Sequence, residues 1–234
     1  MDIWAHLVTK AWAKLNGSYY NILHGKNDEF ISDVTGFNCE RVDTRTAGLF
    51  DIMKQEYHLG FVLMACPNSD SSGNVFGFES KNTWCSVVRI CVIPKSEGCE
   101  ELKLILLRVP GGEDQDLNAV TSGFRGRFKM NPDNGNWTQA LRDQLDGIKV
   151  DTQRNSVDDS GLIWVTNEEF LELHSEIVIF YNFHNKISQS IRLRHTKSNF
   201  SMVRFYINKF YGTMGVISLR QFDCRRVAGN FPFF

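Results

Sequence analysis

Lys10 to Gly36, KAWAKLNGSYYNILHGKNDEFISDVTG, is the stretch around which the chain is organised. It begins inside an amphipathic pattern and ends in an Asp-Val-Thr-Gly turn. Working outward to the N-terminus, Asp2 is placed to cap a helix. Ile3, Trp4, Leu7, Val8, Ala11 and Leu15 recur at helical spacing and fall on one face of an amphipathic helix. Lys10 and Lys14 fall near the C-terminal end, where the helix dipole favours cations. Gly17 is the stop. Such a helix is roughly 20 Å long.

The 234 residues suit one large domain or one and a half smaller ones, and 42% hydrophobic content allows a substantial core. The net charge of −1 offers no overall attraction to nucleic acid or anionic lipid. Cys39, Cys66, Cys85, Cys91, Cys99 and Cys224 form no Cys-x-x-Cys pair, and several sit in apolar runs. They are expected to be reduced thiols of a cytoplasmic protein. The N-terminus lacks a secretory pattern and no run is long enough to span a membrane. Without a secretory signal, the sequons at Asn16, Asn136 and Asn199 are read as chance.

Further along, a helix is expected from Thr46 to His58 with Leu49, Phe50, Met53 and Tyr57 inward, followed by a strand at Phe61–Cys66. Trp84–Ile93 and Leu102–Arg108 are β-prone and are read as a hairpin across Pro94–Glu101. Trp137–Leu145 is read as a short helix and Gly161–Val165 as a strand. Thr166 and Glu169 then form a capping box opening a helix that holds Phe170, Leu171 and Leu173. Glu176–His184 returns as a strand. The texture changes near residue 185, and Ile191–His195, Phe200–Ile207 and Met214–Leu219 are read as strands. The domains expected are therefore 1–184 and 185–234.

Four patches, in order, resemble the calpain family of cysteine proteases in the second half of the protease core. Ala13–Tyr19 with its downstream turn is similar to the family's Lys-Ala-Tyr-Ala-Lys-Leu-x-Gly-Ser-Tyr helix end and Asp-x-Thr-Gly-Gly turn. Lys81–Val87 resembles the Gly-His-Ala-Tyr-Ser-Val strand. Leu107–Glu113 is similar to Leu-Arg-Asn-Pro-Trp-Gly-Glu. Gly161–Val165 with Phe170 resembles Gly-Glu-Phe-Trp-Met and the helix start beyond it. The resemblance implies an α+β fold: a papain-like half-core, with an antiparallel sheet or partial barrel and flanking helices. The start of a β-sandwich would follow, loosely echoed around Cys224-Arg225.

A papain-type protease needs a thiolate, a histidine that takes and returns its proton, and an asparagine that holds the imidazole. Under the resemblance the histidine position is Thr83, which is no base near neutral pH. The asparagine position is Val109, and the tryptophan that shields that hydrogen bond is Gly111. The cysteine half-domain is expected to be absent. The family's calcium ligands correspond to Gln115, Ser122, Ser160 and Leu162, a poor set for a hard cation. Glu113, Asp114, Asp116, Asp158 and Asp159 lie near them, and a solvated acidic loop is the plainer reading. No catalytic residue, metal site or cofactor is therefore expected.

Other groupings carry plainer readings. Cys85 with His58 or His174 would make a thiol–imidazole pair only if the fold joined them; a core cysteine is the simpler reading. The six histidines show no metal-ligand spacing. Phe124–Lys129 mixes basic and aromatic residues but is read as a solvated loop. Trp137 and Trp164 are read as packing rather than a sugar platform. Arg192, Arg194, His195, Lys197, Arg204 and Lys209 leave an acidic phospholipid or a partner surface open for the C-terminal segment, with a solvated sheet face the plainer reading. The function expected is that of a pseudoprotease acting through a protein partner. The alternatives are a fragment of a calcium-dependent endopeptidase and a lipid- or calcium-responsive module.

Overall fold

In the computed structural model, residues 3–22, 27–68, 84–94, 101–110, 124–128, 135–138, 141, 145, 161–182 and 215–217 are described. The chain packs as two units, Met1–Asn182 and Phe183–Phe234. In the second unit the described residues are Gly215, Val216 and Ile217. They lie outside any strand, against the expectation of one at 214–219. The strands expected at 191–195 and 200–207 lie outside the described residues.

The first unit opens with α1 (Ile3–Leu15), α2 (Tyr19–Ile22) and α3 (Asn27–Thr35). Gly17 at φ 91° and Gly36 at φ 75° turn the chain after α1 and α3, in a left-handed conformation that favours glycine. Strand β1 (Asn38–Asp43), helix α4 (Leu49–His58) and strand β2 (Val62–Pro67) follow. Then come β3 (Cys85–Ile93), β4 (Leu102–Arg108), β5 (Leu162–Thr166), α5 (Asn167–Leu173) and β6 (His174–Tyr181). The six strands form one sheet in the order β1-β6-β2-β3-β4-β5. Every pairing is antiparallel. The fold is α+β, an antiparallel sheet flanked by helices, as the resemblance implies.

The apolar runs are continuous because both sheet faces are covered. Leu104 to Leu107 of β4 are all buried. Successive side chains point to opposite faces, so Leu104 and Leu106 join one layer with Trp164, Cys91, Phe128 and Leu141. Trp137 meets the Phe128 ring edge-on, 5.2 Å between centroids, so both tryptophans pack as expected. Leu49, Phe50 and Met53 of α4 are buried, while Tyr57 is half-buried.

The structure departs from the sequence reading in several places. Helices α2 and α3 and strand β1 were not expected. Most of the helix expected at 137–145 lies outside the described residues. Helix α1 forms as expected, and its apolar face is turned outward. Ile3, Trp4, Leu7 and Leu15 are all exposed, and the buried contact is made by Ala13. Helical periodicity locates an apolar stripe without saying what it faces. Here Trp12 orients the helix: its ring meets Phe30 edge-on at 4.8 Å and its Nε1 donates to Asp33 of α3 at 3.3 Å.

Candidate functional site at the β3–β4 end of the sheet

The antiparallel register brings six strand termini to one end of the sheet. Glu176 of β6 pairs with Asp43 and with Cys66, Ala65 pairs with Cys85, and Arg108 pairs with both Ser86 and Leu162. Thr83, Gly111, Gln115, Ser122 and Ser160 lie outside the described residues; Val109 and Leu162 lie within them.

Val109 follows β4, one step beyond Arg108. Its side chain is buried, at 3% exposure. Its N–H donates to the Gly161 carbonyl at 2.7 Å, which ties the end of β4 to the entrance of β5. An isopropyl group holds no imidazole. Leu162 sits in β5, its side chain packed against the core layer, so it offers a metal no side-chain oxygen.

Cys85 starts β3 and is fully buried. Burial pushes its thiol up to about 12, so it carries no thiolate at neutral pH. His174 is also buried, and its Nδ1 lies 3.2 Å from the Phe170 carbonyl oxygen. Its Nε2 has no hydrogen-bond partner, and desolvation lowers its pKa to about 4. His174 pairs with Pro67 on β2 and makes no hydrogen bond to Cys85. His58 is exposed at the end of α4 that leads into β2, at the far end of the sheet from Cys85. The fold therefore does not build a thiol–imidazole pair from these residues. Among the described residues no three His, Cys, Asp or Glu side chains gather to hold a metal ion.

What the fold does assemble at this end is an ion cluster that sequence reasoning missed. Arg41 of β1 donates from Nε to Asp28 Oδ2 at 3.0 Å, and its Nη2 lies 2.7 Å from Oδ1 as an ion pair. Its Nη1 donates to Glu176 Oε1 at 2.6 Å. One guanidinium thus ties α3, β1 and β6 together through charge-assisted hydrogen bonds to two carboxylates. It also lies 6.0 Å from the Trp84 ring centroid, just ahead of β3. Cys66, beside Glu176, is pushed up to about 11 by burial first and by that carboxylate next. Asp28 and Glu176 are far apart in sequence, so no local motif announces the cluster.

The loop Phe124–Phe128 is anchored rather than solvated throughout. Phe124, Gly126 and Phe128 are buried while Arg125 and Arg127 point outward. The Arg127 N–H donates to Glu169 Oε1 at 2.6 Å.

The family model for calpain family cysteine protease matches residues 1–181. The chain belongs to the calpain family of cysteine proteases. Calpain clp-1 of Caenorhabditis elegans is 27% identical over 156 residues, which is 62% of this chain and 19% of that relative. Calpain-B of Drosophila melanogaster is 27% identical over 189 residues, 76% of this chain and 18% of the relative. Calpain-A of the same fly is 26% identical over 142 residues, 56% of this chain and 17% of the relative. The chain spans less than a fifth of the length of these curated calpains. Within the calpain match the sheet end described above contains the positions Val109 and Leu162. No helix among the described residues is long and apolar enough to cross a membrane.

Proposed function

We propose that this chain is a catalytically inactive calpain-family half-core, a pseudoprotease that acts through protein–protein contacts in the cytoplasm. The observation that carries the reading is Val109. It stands at the position that the family likeness assigns to the imidazole-holding asparagine. Its side chain is buried and apolar, and its backbone N–H is bonded to the Gly161 carbonyl. Thr83, at the histidine position, has no basic nitrogen. Cys85, two residues on, is a buried thiol held far from ionisation. Members of a catalytic set act together, so loss of one removes most of the rate enhancement.

The short span of the chain against its relatives favours a second reading, a fragment of a calcium-dependent cysteine endopeptidase. Thr83 weighs against it, because a cysteine half supplied from elsewhere would bring no histidine to this position. Both readings meet in one assay. The purified chain is incubated with a fluorogenic calpain peptide and calcium, with and without a thiol alkylator. No turnover above the buffer rate is expected. Alkylator-sensitive turnover would overturn the inactive reading.

A further inference from the structure

Helices α1, α2 and α3 contribute little to the core of the unit they belong to. Among their described side chains the buried ones are Ala13, Asp28 and Ser32, one methyl group and two polar groups. Every other buried hydrophobic residue described in the chain lies at Leu49 or beyond. Trp12 and Phe30 are half-buried and pack their rings on each other, which joins α1 to α3. Attachment to the sheet comes from α3 lying on β1, and two polar contacts fix it. Asp28 takes the Arg41 guanidinium at 3.0 and 2.7 Å, and the Ser32 hydroxyl donates to the Cys39 sulfur at 3.6 Å. Between α3 and β1 stands Gly36, at φ 75° and with no atom within 4 Å of where a Cβ would lie.

We propose that α1, α2 and α3 form an arm that opens from the sheet as one unit, hinged at Gly36 and latched by Asp28 on Arg41, while the sheet stays folded. The free energy of a local opening follows the apolar surface it uncovers, and the fully buried apolar share of the arm is Ala13. The latch also releases without stranding a charge. When Asp28 withdraws into water, Arg41 keeps Glu176 at 2.6 Å, and its side chain is already 34% exposed. Asp28 regains its hydration on opening, which offsets much of the Coulomb attraction lost. Helices of 13 and 9 residues are marginal once detached. The Trp12–Phe30 contact makes them leave together. Opening also lifts Ser32 from the Cys39 sulfur and uncovers that thiol.

The test is native-state hydrogen exchange, read by mass spectrometry on the full 234-residue chain. The amides of α1 and α3 are expected to share one protection factor, at least about a hundredfold below that of β2, β3, β4 and β6. Asp28→Asn should lower it about tenfold further and leave those strands unchanged. Iodoacetamide labelling is an independent readout. Cys39 should react several-fold faster in Asp28→Asn, while the fully buried Cys85 stays unlabelled. The wild-type exchange pattern tests the hinge without any variant having to fold. Protection of α1 and α3 equal to that of the strands would overturn the proposal. So would unequal protection of the two helices, or Cys85 labelling that rises with Cys39, since the chain would then be opening as a whole.

Discussion

Glu169 accepts the backbone N–H of Arg127 at 2.6 Å across 42 residues of sequence, and its other carboxylate oxygen accepts the N–H of Thr166 at 2.8 Å. The Thr166 hydroxyl in turn accepts the Glu169 N–H at 3.2 Å, closing the capping box of α5. One buried carboxylate therefore starts a helix and pins the loop that carries Phe124 and Phe128 into the core. Glu169→Ala removes both acceptors and strands two donors. It is expected to lower stability by roughly 3 kcal/mol, and Glu169→Gln by about half as much, since one amide oxygen replaces two. Urea denaturation midpoints of the two variants check the ranking.

Gly126 lies under the same carboxylate. A Cβ there would stand 2.1 Å from the Phe124 ring and 3.0 Å from Glu169 Oε1. Both neighbours are held, so Gly126→Ala is expected to destabilise by about 1–3 kcal/mol. The clash is with an aromatic ring, so the same substitution should cost less in a Phe124→Leu background. A double-mutant cycle on thermal or chemical unfolding measures that coupling. Additive effects would show that the ring is not the obstacle.

His174 sets an acid limit. Its ordinary pKa near 6.5 falls to about 4 in the fold because burial disfavours the imidazolium. Between these values the unfolded chain binds the proton that the folded chain refuses, so stability falls as pH drops from about 6.5 to about 4 and this contribution then levels off. From pH 7 to pH 5 the loss should be about 2 kcal/mol. His174→Phe keeps the ring and deletes the titration. The variant should show a shallower stability-against-pH slope over that interval, whatever its absolute stability.

Arg41 is the joint between α3 and the sheet. Its removal leaves Asp28, whose side chain is 11% exposed, beside Glu176 with no cation between them. Arg41→Met is expected to cost about 2 kcal/mol, below the range for fully buried pairs because solvent reaches the guanidinium. Glu176→Gln should cost under about 1 kcal/mol, because Glu176 is the more exposed partner. Hydrogen exchange offers a second readout: protection should fall first in α3 and β1, the elements that the guanidinium joins. Loss spread evenly over the sheet would contradict this assignment.

Features set by neighbours in sequence were legible in advance. The Thr166–Glu169 capping box spans three residues, and the inward stripe of α4 spans one helix turn and a half. The β3–β4 pair was readable because both runs are apolar and a short polar segment joins them. Strand β1 was not readable: Asn38–Asp43 is a polar edge strand, and its pairing with β6 supplies its strand character. Helix α3 was missed for a similar reason. Its buried anchor is Asp28, held by an arginine on another element, and an acid shows no hydrophobic period. That residue 83 is a threonine and residue 109 a valine is plain in the letters. The Arg41 cluster is not, since its members meet only through the sheet.

The sequence by itself determined the family likeness and most helices and strands, because these depend on residue identity and short-range spacing. Tertiary structure decided the insertion of β6 between β1 and β2, the burial of Cys85 and His174, and the outward turn of the apolar face of α1. Each depends on which distant surfaces come within a few ångströms. For α1 the decision rests on Trp12, whose contacts with Phe30 and Asp33 seat the small side of the helix inward and leave Trp4 and Leu7 facing out.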